Sequence, residues 1–356
     1  MMKHTTVLFG VALLGAQLYD LQAHDTARQA SPEELVRRSP ADAYRWASYA
    51  ESLVSSKHGL SARAAFDRAV TLAPNTPQIL MRRMNYCLEI AALDCILYDG
   101  RRVLGLTASF DEIIFVYYTT LNLSPDSILR NGLPNEARPL RSYVRKIAKF
   151  SNDDSAIFYI WRRIRSQGAI DPPTASDVSS TLVTRRRNTL AYQIWRDFSP
   201  PKPPDELLSN TTFGHQPLPS PFDWSIIPQD GMSFDLKDGL LVTFEGAQNL
   251  AFANVRQQFV PQPGPHRLVI EYSSDGLTTD QGPFFHLYEA TSPSRLNLRT
   301  EMIRGTNPRQ RLTLDFVAPP GAPLLTLQLE RIPSQKFDNK IAGALHLYRV
   351  SIQPHP

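Results

Sequence analysis

Seven carboxylates in the C-terminal half are of the type that cleaves glycosidic bonds when two of them stand across a cleft: Asp223, Glu245, Glu271, Asp275, Asp280, Glu289 and Glu301. Their spacing singles out no pair, and any β-rich domain of this size carries several. The eight histidines are scattered, none at metal-ligand spacing from another or from a cysteine. There is no G-x-S-x-G, phosphate loop or dinucleotide fingerprint. "SDGLTTDQG" offers glycine and carboxylates, but lies between strand-like segments without the helix that phosphate binding requires. The residues point away from an enzyme and imply no metal and no cofactor.

Binding chemistry has better material. Aromatic faces beside polar groups can hold a sugar ring. Trp224, Tyr272 and Tyr288, with Asp275, Thr278, Thr279, Asp280 and Gln281, supply both kinds of group. Each also has a plain structural reading. Trp224 sits in "PSPFDWSII", residues 219–227, where Phe222 and Trp224 alternate as in a strand entering a core. It is read first as a core plug, with Asp223 solvated or bonded in a turn. The loop residues suit ordinary turn chemistry.

These residues fall in a region that reads as β structure. "GLLVTFEG", "FANVRQQFV", "HRLVIEYSS", "PFFHLYEA", "RLNLRTEMI", "RLTLDFVA", "PLLTLQLER" and "GALHLYRVSI" are strand-like, separated by Gly/Pro turns. In "RLTLDF", Leu312, Leu314 and Phe316 alternate with Arg311, Thr313 and Asp315, so that one face is buried and the other wet. The expectation is an antiparallel β-sandwich or jelly roll over 208–354. It follows a Pro-rich linker, 199–207, in which proline density stops the preceding helices. The layout resembles the carbohydrate-binding-module and galactose-binding-like jelly rolls. "SNTTFG" keeps Asn210 and Phe213 of their opening Asn-Gly-x-Phe-Glu, with Thr211 and Gly214 replacing the glycine and the glutamate. Tyr348 and Arg349 stand where the closing acidic pair would be, which puts that family's structural calcium in doubt.

The N-terminal half reads as helical hairpins over 32–198. In "YRWASYAESLVSSKHGLSARAAFDRAVTLAPNTP", Trp46, Ala50, Leu53 and Val54 line one face. Ala62, Ala65, Phe66, Ala69 and Val70 line the next, and Pro74 stops it. Trp46, Ala50, Ala62, Phe66, Ala69 and Pro74 match the tetratricopeptide-repeat pattern, and the segment resembles that family. The resemblance implies further, degenerate repeats, an α-helical solenoid and a surface for a protein partner. The fold class is therefore α+β in separate domains.

"MMKHTTVLFGVALLGAQLYDLQAHD" places an apolar run, Val7 to about Leu18, behind Lys3 and His4. Residues 1–23 read as a signal peptide or a membrane anchor. Export would permit a disulfide between the only cysteines, Cys87 and Cys95, across a helical turn. Two buried free thiols are the alternative, since helix geometry often holds such pairs apart. Residues 25–200 hold 24 Lys and Arg against 18 Asp and Glu, while the remainder is slightly acidic. Arg82, Arg83, Arg101, Arg102, Arg162, Arg163, Arg165 and Arg185 to Arg187 could form a basic strip.

Export makes nucleic acid a poor partner and favours polysaccharide or an envelope protein. Exported helical hairpins joined to a jelly roll resemble bacterial envelope proteins of exopolysaccharide production. That resemblance implies a non-catalytic, periplasmic or envelope-associated binding protein. A pure protein-interaction adaptor is the alternative, and a glycan-active enzyme the third.

Overall fold

The computed structural model describes residues 30–321 and 324–355. The apolar run at Val7–Leu18 lies outside them. Among the described residues no helix is long and apolar enough to cross a membrane. The chain forms two compact units, divided between Thr107 and Ala108.

The first unit holds helices α1 (Pro32–Arg38), α2 (Ala43–Ser55), α3 (Gly59–Leu72), α4 (Pro77–Glu89) and α5 (Leu93–Leu106). α2 packs on α3, and α4 on α5. Ala47, Ala50, Ala62 and Ala69 are inaccessible, so the small side chains let α2 and α3 approach closely. Phe66 fills the adjoining space and stacks on Tyr86 at 5.3 Å. Two residues of the matched pattern are not core. Trp46 is half-buried because its Nε1 reaches out to donate to the Pro40 carbonyl at 2.8 Å. Pro74 is exposed beyond the end of α3, where its carbonyl accepts from Arg102.

The turn between paired helices recurs in the backbone more faithfully than in the sequence. After α2, Lys57 turns left-handed (φ 61°), and His58 N donates to Leu53 O. After α4, Ala91 does the same (φ 54°), and Ala92 N donates to Cys87 O. This is a Schellman termination, in which the left-handed residue satisfies the last helical carbonyls. Lys57 and Ala91 are 34 residues apart. The second turn also brings Cys87 and Cys95 together, and they form a disulfide with Cα atoms 6.0 Å apart.

The second unit begins with α6 (Asp111–Thr120) and α7 (Pro125–Ser127), which runs into a π turn, Ile128–Gly132. Then come α8 (Ala137–Phe150), α9 (Asp154–Ser166), α10 (Pro172–Thr184) and α11 (Asn188–Phe198). The same termination follows α6 at Asn122, α9 at Gly168 and α10 at Arg186. Trp161 and Trp195 are wholly buried. The arginines expected to form a basic strip mostly tie helices together instead. Arg83 bonds Asp99 and Asp67, Arg82 bonds Glu51, Arg165 pairs with Asp197, and Arg187 with Asp154.

Among the described residues the sandwich has ten strands in two antiparallel sheets. One has the order β1 (Ser225–Ile226), β4 (Phe252–Phe259), β9 (Leu325–Arg331), β6 (Phe284–Glu289), β7 (Asn297–Arg299). The other has the order β2 (Met232–Asp235), β3 (Leu240–Glu245), β10 (Ala342–Pro354), β5 (Gly264–Leu277), β8 (Gly305–Ala318). Leu325, Leu327, Leu329, Phe285 and Leu287 of the first sheet are buried, as are Val242, Ile270, Leu345 and Leu347 of the second. A bulge between Leu347 and Arg349 returns Val350 and Ile352 to the core.

The segment read as a linker is a built part of this unit. β3 pairs β10 only as far as Leu347, which leaves the rest of that edge open. Residues 206–211 close it. Leu207 N donates to Ile352 O, Ile352 N to the Glu206 carboxylate, and Val350 N to Thr211 O. Tyr192 of α11 donates to Leu207 O at 2.6 Å, and Lys202 to the carbonyls of Leu207 and Leu208. The helices from Ala108 onward thus share a compact unit with the sandwich. Residues 199–207 are bonded both to α11 and to β10.

Burial, reinforced by the charge of Arg196, pushes Lys202 down to about 8. Burial raises Glu206 above the usual carboxylate range, against the bonds from Ile352 and Leu208. A raised carboxyl means that the native state holds the proton more tightly. The resulting stability is full below the ordinary glutamate value and is lost as pH rises through the folded value.

Two stability measurements follow. In urea titrations, wild type should lose stability relative to Glu206→Gln as pH rises through that window; a pH-independent difference contradicts the assignment. Asp99 is inaccessible and Asp67 half-exposed, although both bond Arg83. Asp99→Ala should therefore cost about 3 kcal/mol, because it removes the buried carboxylate that accepts from both Nε and Nη2 of Arg83 and leaves only Asp67 on the exposed side. Asp67→Ala should cost less than about 1 kcal/mol, and equal losses would contradict this reading.

Candidate functional site

β9 lies between β4 and β6 and is buried along nearly its whole length. Strand alternation sends Leu325, Leu327 and Leu329 inward and Thr326, Gln328 and Glu330 outward. The outward residues would ordinarily be wet. Yet Thr326 is 1% and Gln328 6% exposed. Larger neighbours on the same face overhang them, and each buried polar atom must then find a partner.

The register supplies those partners. Gln328 lies opposite His286 on one side and Arg256 on the other, and Thr326 opposite Tyr288 and Gln258. The Tyr288 hydroxyl donates to Gln328 Oε1 at 2.8 Å, and Gln328 Nε2 donates to the Ala253 carbonyl. Gln258 Nε2 reaches Thr326 Oγ1 at 3.4 Å. His286 stands between Glu330 Oε1 (2.9 Å) and Asn297 Oδ1 (2.7 Å), its ring centroid 4.5 Å from that of Tyr288. Burial, with Glu330 adding to it, raises the Tyr288 phenol above its ordinary value, so the hydroxyl stays a donor. Arg299 lies over the Phe284 ring at the far end. The result is a fixed polar face with an aromatic pair at its centre and amides beside it.

The opposite outer face is built differently. There Arg309 sits 4.1 Å over the Tyr348 ring and also bonds Glu271. Tyr348 shares a bond with Ser273, and His346 lies against it. Its aromatic face is already occupied by a guanidinium.

The six residues singled out for ligand binding do not form one site. Tyr288 alone lies on the polar face. Trp224 is 2% exposed, packs on Phe213 at 5.0 Å and donates from Nε1 to Asn210 O. It is a core plug and presents no ring to a ligand. Tyr272 points between the sheets, buried, with its hydroxyl bonded to Gln310. Asp275 is exposed near the end of β5.

Asp280 and Gln281 belong to a loop cluster at one end of the sandwich. Asp280 accepts from Ser334 and pairs with Lys336. The Gln281 carbonyl accepts from Arg331, which also bonds Leu250 O, Thr279 Oγ1 and Asn339 O. Arg331 thereby locks three loops together, so turn chemistry explains these residues.

Two further carboxylates have structural partners, while Glu245 and Glu301 are exposed. Asp223 is buried and caps its own turn, accepting from Leu218 N and Trp224 N. Glu289 is buried against Arg295. Among the described residues no group of three His, Cys, Asp or Glu side chains could hold a metal ion. Gln258, His286, Thr326, Gln328 and Glu330 were not anticipated. The signal for His286, Thr326, Gln328 and Glu330 was the polar residues recurring at every second position inside "PFFHLYEA" and "PLLTLQLER"; Gln258, in "FANVRQQFV", had none.

No protein-family model and no curated protein matches the chain. Among solved structures, it is similar to a CBM4 carbohydrate-binding module, at 14% identity and TM-score 0.30, over 42% of this chain and 99% of that one. It is also similar to the CBM22-1 xylan-binding domain of Paenibacillus barcinonensis Xyn10C, at 16% identity and TM-score 0.26, over 43% and 97%. A third is a carbohydrate-binding module of Cellvibrio mixtus lichenase 5A in complex with cellotriose, at 11% identity and TM-score 0.23, over 37% and 93%.

Trp224→Ala should lower unfolding free energy by about 3–5 kcal/mol and leave ligand binding by the folded fraction unchanged. Unaltered stability with lost binding would return Trp224 to the ligand surface.

Proposed function

We propose that this is a non-catalytic glycan-binding protein whose ligand lies across the outer face of the β4–β9–β6 sheet. The observation that carries this is the Tyr288–Gln328 hydrogen bond with the His286 ring, held by Glu330 and Asn297, lying against Tyr288. A sugar presents hydroxyl groups around its edge and C–H groups on its faces. Fixed amides and carboxylates satisfy the first, and an aromatic ring the second. Because Gln328 and Tyr288 already hold each other, little side-chain entropy is lost when a ligand binds.

The setting is an exported, envelope-associated one, with a role in exopolysaccharide assembly or export and with the helices serving as a scaffold for a protein partner. The apolar N-terminal run and the Cys87–Cys95 disulfide support export, since such bonds persist in oxidising compartments. The engagement of Asp223 in its own turn and of Glu271, Asp280 and Glu289 in ion pairs supports a binding role over a hydrolytic one.

Affinity electrophoresis of the full chain through gels containing β-glucan, xylan or an acidic exopolysaccharide tests the reading. Wild type should be retarded by at least one. Tyr288→Ala and Gln328→Ala should each weaken binding about tenfold or more, and Tyr348→Ala, on the opposite face, should not. Retardation by none, or a loss confined to Tyr348→Ala, would overturn it.

A further inference from the structure

Three of the four sheet edges are short. β1 has two residues, β7 three and β2 four. The fourth edge, β8, runs for 14 residues, and its far side pairs with no strand among the described residues. A long open edge is a template for another strand. Along it Arg311, Thr313, Asp315 and Val317 are exposed. Leu312 and Leu314, on the inward side, stay half-exposed because the edge overhangs the core.

Charges on an edge ordinarily repel a second copy. Here their order is palindromic: Arg311 and Asp315 lie two residues on either side of Thr313. If a second copy is laid antiparallel with Thr313 against the partner's Thr313, Arg311 faces the partner's Asp315 and Asp315 faces the partner's Arg311. Leu312 falls opposite the partner's Leu314, so the half-exposed leucines are covered. Directly opposed side chains of this kind are in contact range. Arg267 already bonds both oxygens of Asp315, at 2.5 and 2.7 Å, and each oxygen keeps a lone pair for a second guanidinium. Arg309 is engaged with Glu271, which leaves Arg311 as the cation for the crossing pair.

We propose that the protein forms a twofold homodimer edge to edge through β8, centred on Thr313, joining two five-stranded sheets into one of ten. An isologous contact of this type closes on itself and leaves no further edge of this length. It does not involve the polar face of the other sheet, so it stands apart from the glycan reading.

Sedimentation velocity of the full chain tests it by charge exchange. Wild type should dimerise. Arg311→Asp and Asp315→Arg should each weaken self-association about tenfold or more, because like charges then meet twice. Mixed together, the two variants should recover dimers, since every crossing pair is again opposite in sign. Asp315→Arg also breaks the Arg267 pair, so Thr313→Cys gives a second reading: a short bis-thiol linker should join two chains at that residue. A monomeric wild type, unaffected association in both charge variants, no recovery on mixing, or no crosslink would each overturn the proposal. The first would leave the edge to a strand from a different protein.

Discussion

The pairing of β9 between β4 and β6 is the constraint on which the sandwich and its candidate surface both depend. Its three leucines, each wholly buried, commit that side to the core. Strict alternation then commits Thr326 and Gln328 to the other side, beneath larger neighbours. An amide and a hydroxyl placed there must be bonded, and the register offers Tyr288 and Gln258 within reach. The geometry of the polar face therefore follows from packing on the reverse side of the same strand. A change that slipped the register of β9 by one residue would exchange the two sides and destroy both.

The second organising element is the strap of residues 199–224. It spans both sheets, since it bonds β10 through Leu207 and Thr211, and β4 through the reciprocal pair of Ser209 and Gln257 and through Pro221. Glu206 stands in for a strand neighbour by accepting from Ile352 with a carboxylate oxygen. That substitution costs desolvation of a buried charge, which explains why the carboxyl is raised; Lys202 is depressed by its own burial and by Arg196, with Glu206 opposing the shift. In return the strap carries Tyr192 and Phe222 into edge-on contact at 5.3 Å and fixes α11 against the sandwich end.

Much of this was legible in the sequence, for particular reasons. Eight strands were visible, most of them because apolar and polar residues alternate, as Leu312, Leu314 and Phe316 do with Arg311, Thr313 and Asp315. β1, with two residues, is too short to show a period; β2 was missed although Met232 and Phe234 alternate with Ser233 and Asp235. Ala50, Ala62, Phe66 and Ala69 were legible as core because small residues at helical spacing have few other uses. Trp46 was misplaced because its indole N–H draws it to a surface carbonyl, which apolar periodicity does not report. Proline density at 199–207 suggested a free linker. Proline stops helices equally well where the chain is bonded to its neighbours, and burial is decided by residues such as Glu206 and Ile352, 146 positions apart. The candidate site was legible only at Tyr288. Gln328 and Thr326 become informative once β9 is known to be central, which depends on pairing between strands distant in sequence.

The central claim concerns a surface, and hydrogen exchange reads surfaces directly. Backbone amides of the full chain would be followed with and without a retarding polysaccharide. The account predicts added protection concentrated in β4, β6 and β9, around Arg256, His286 and Gln328, with β5 and the outer side of β10 unchanged. Protection confined to the β5–β10 face, or to the loop cluster around Asp280, would contradict it.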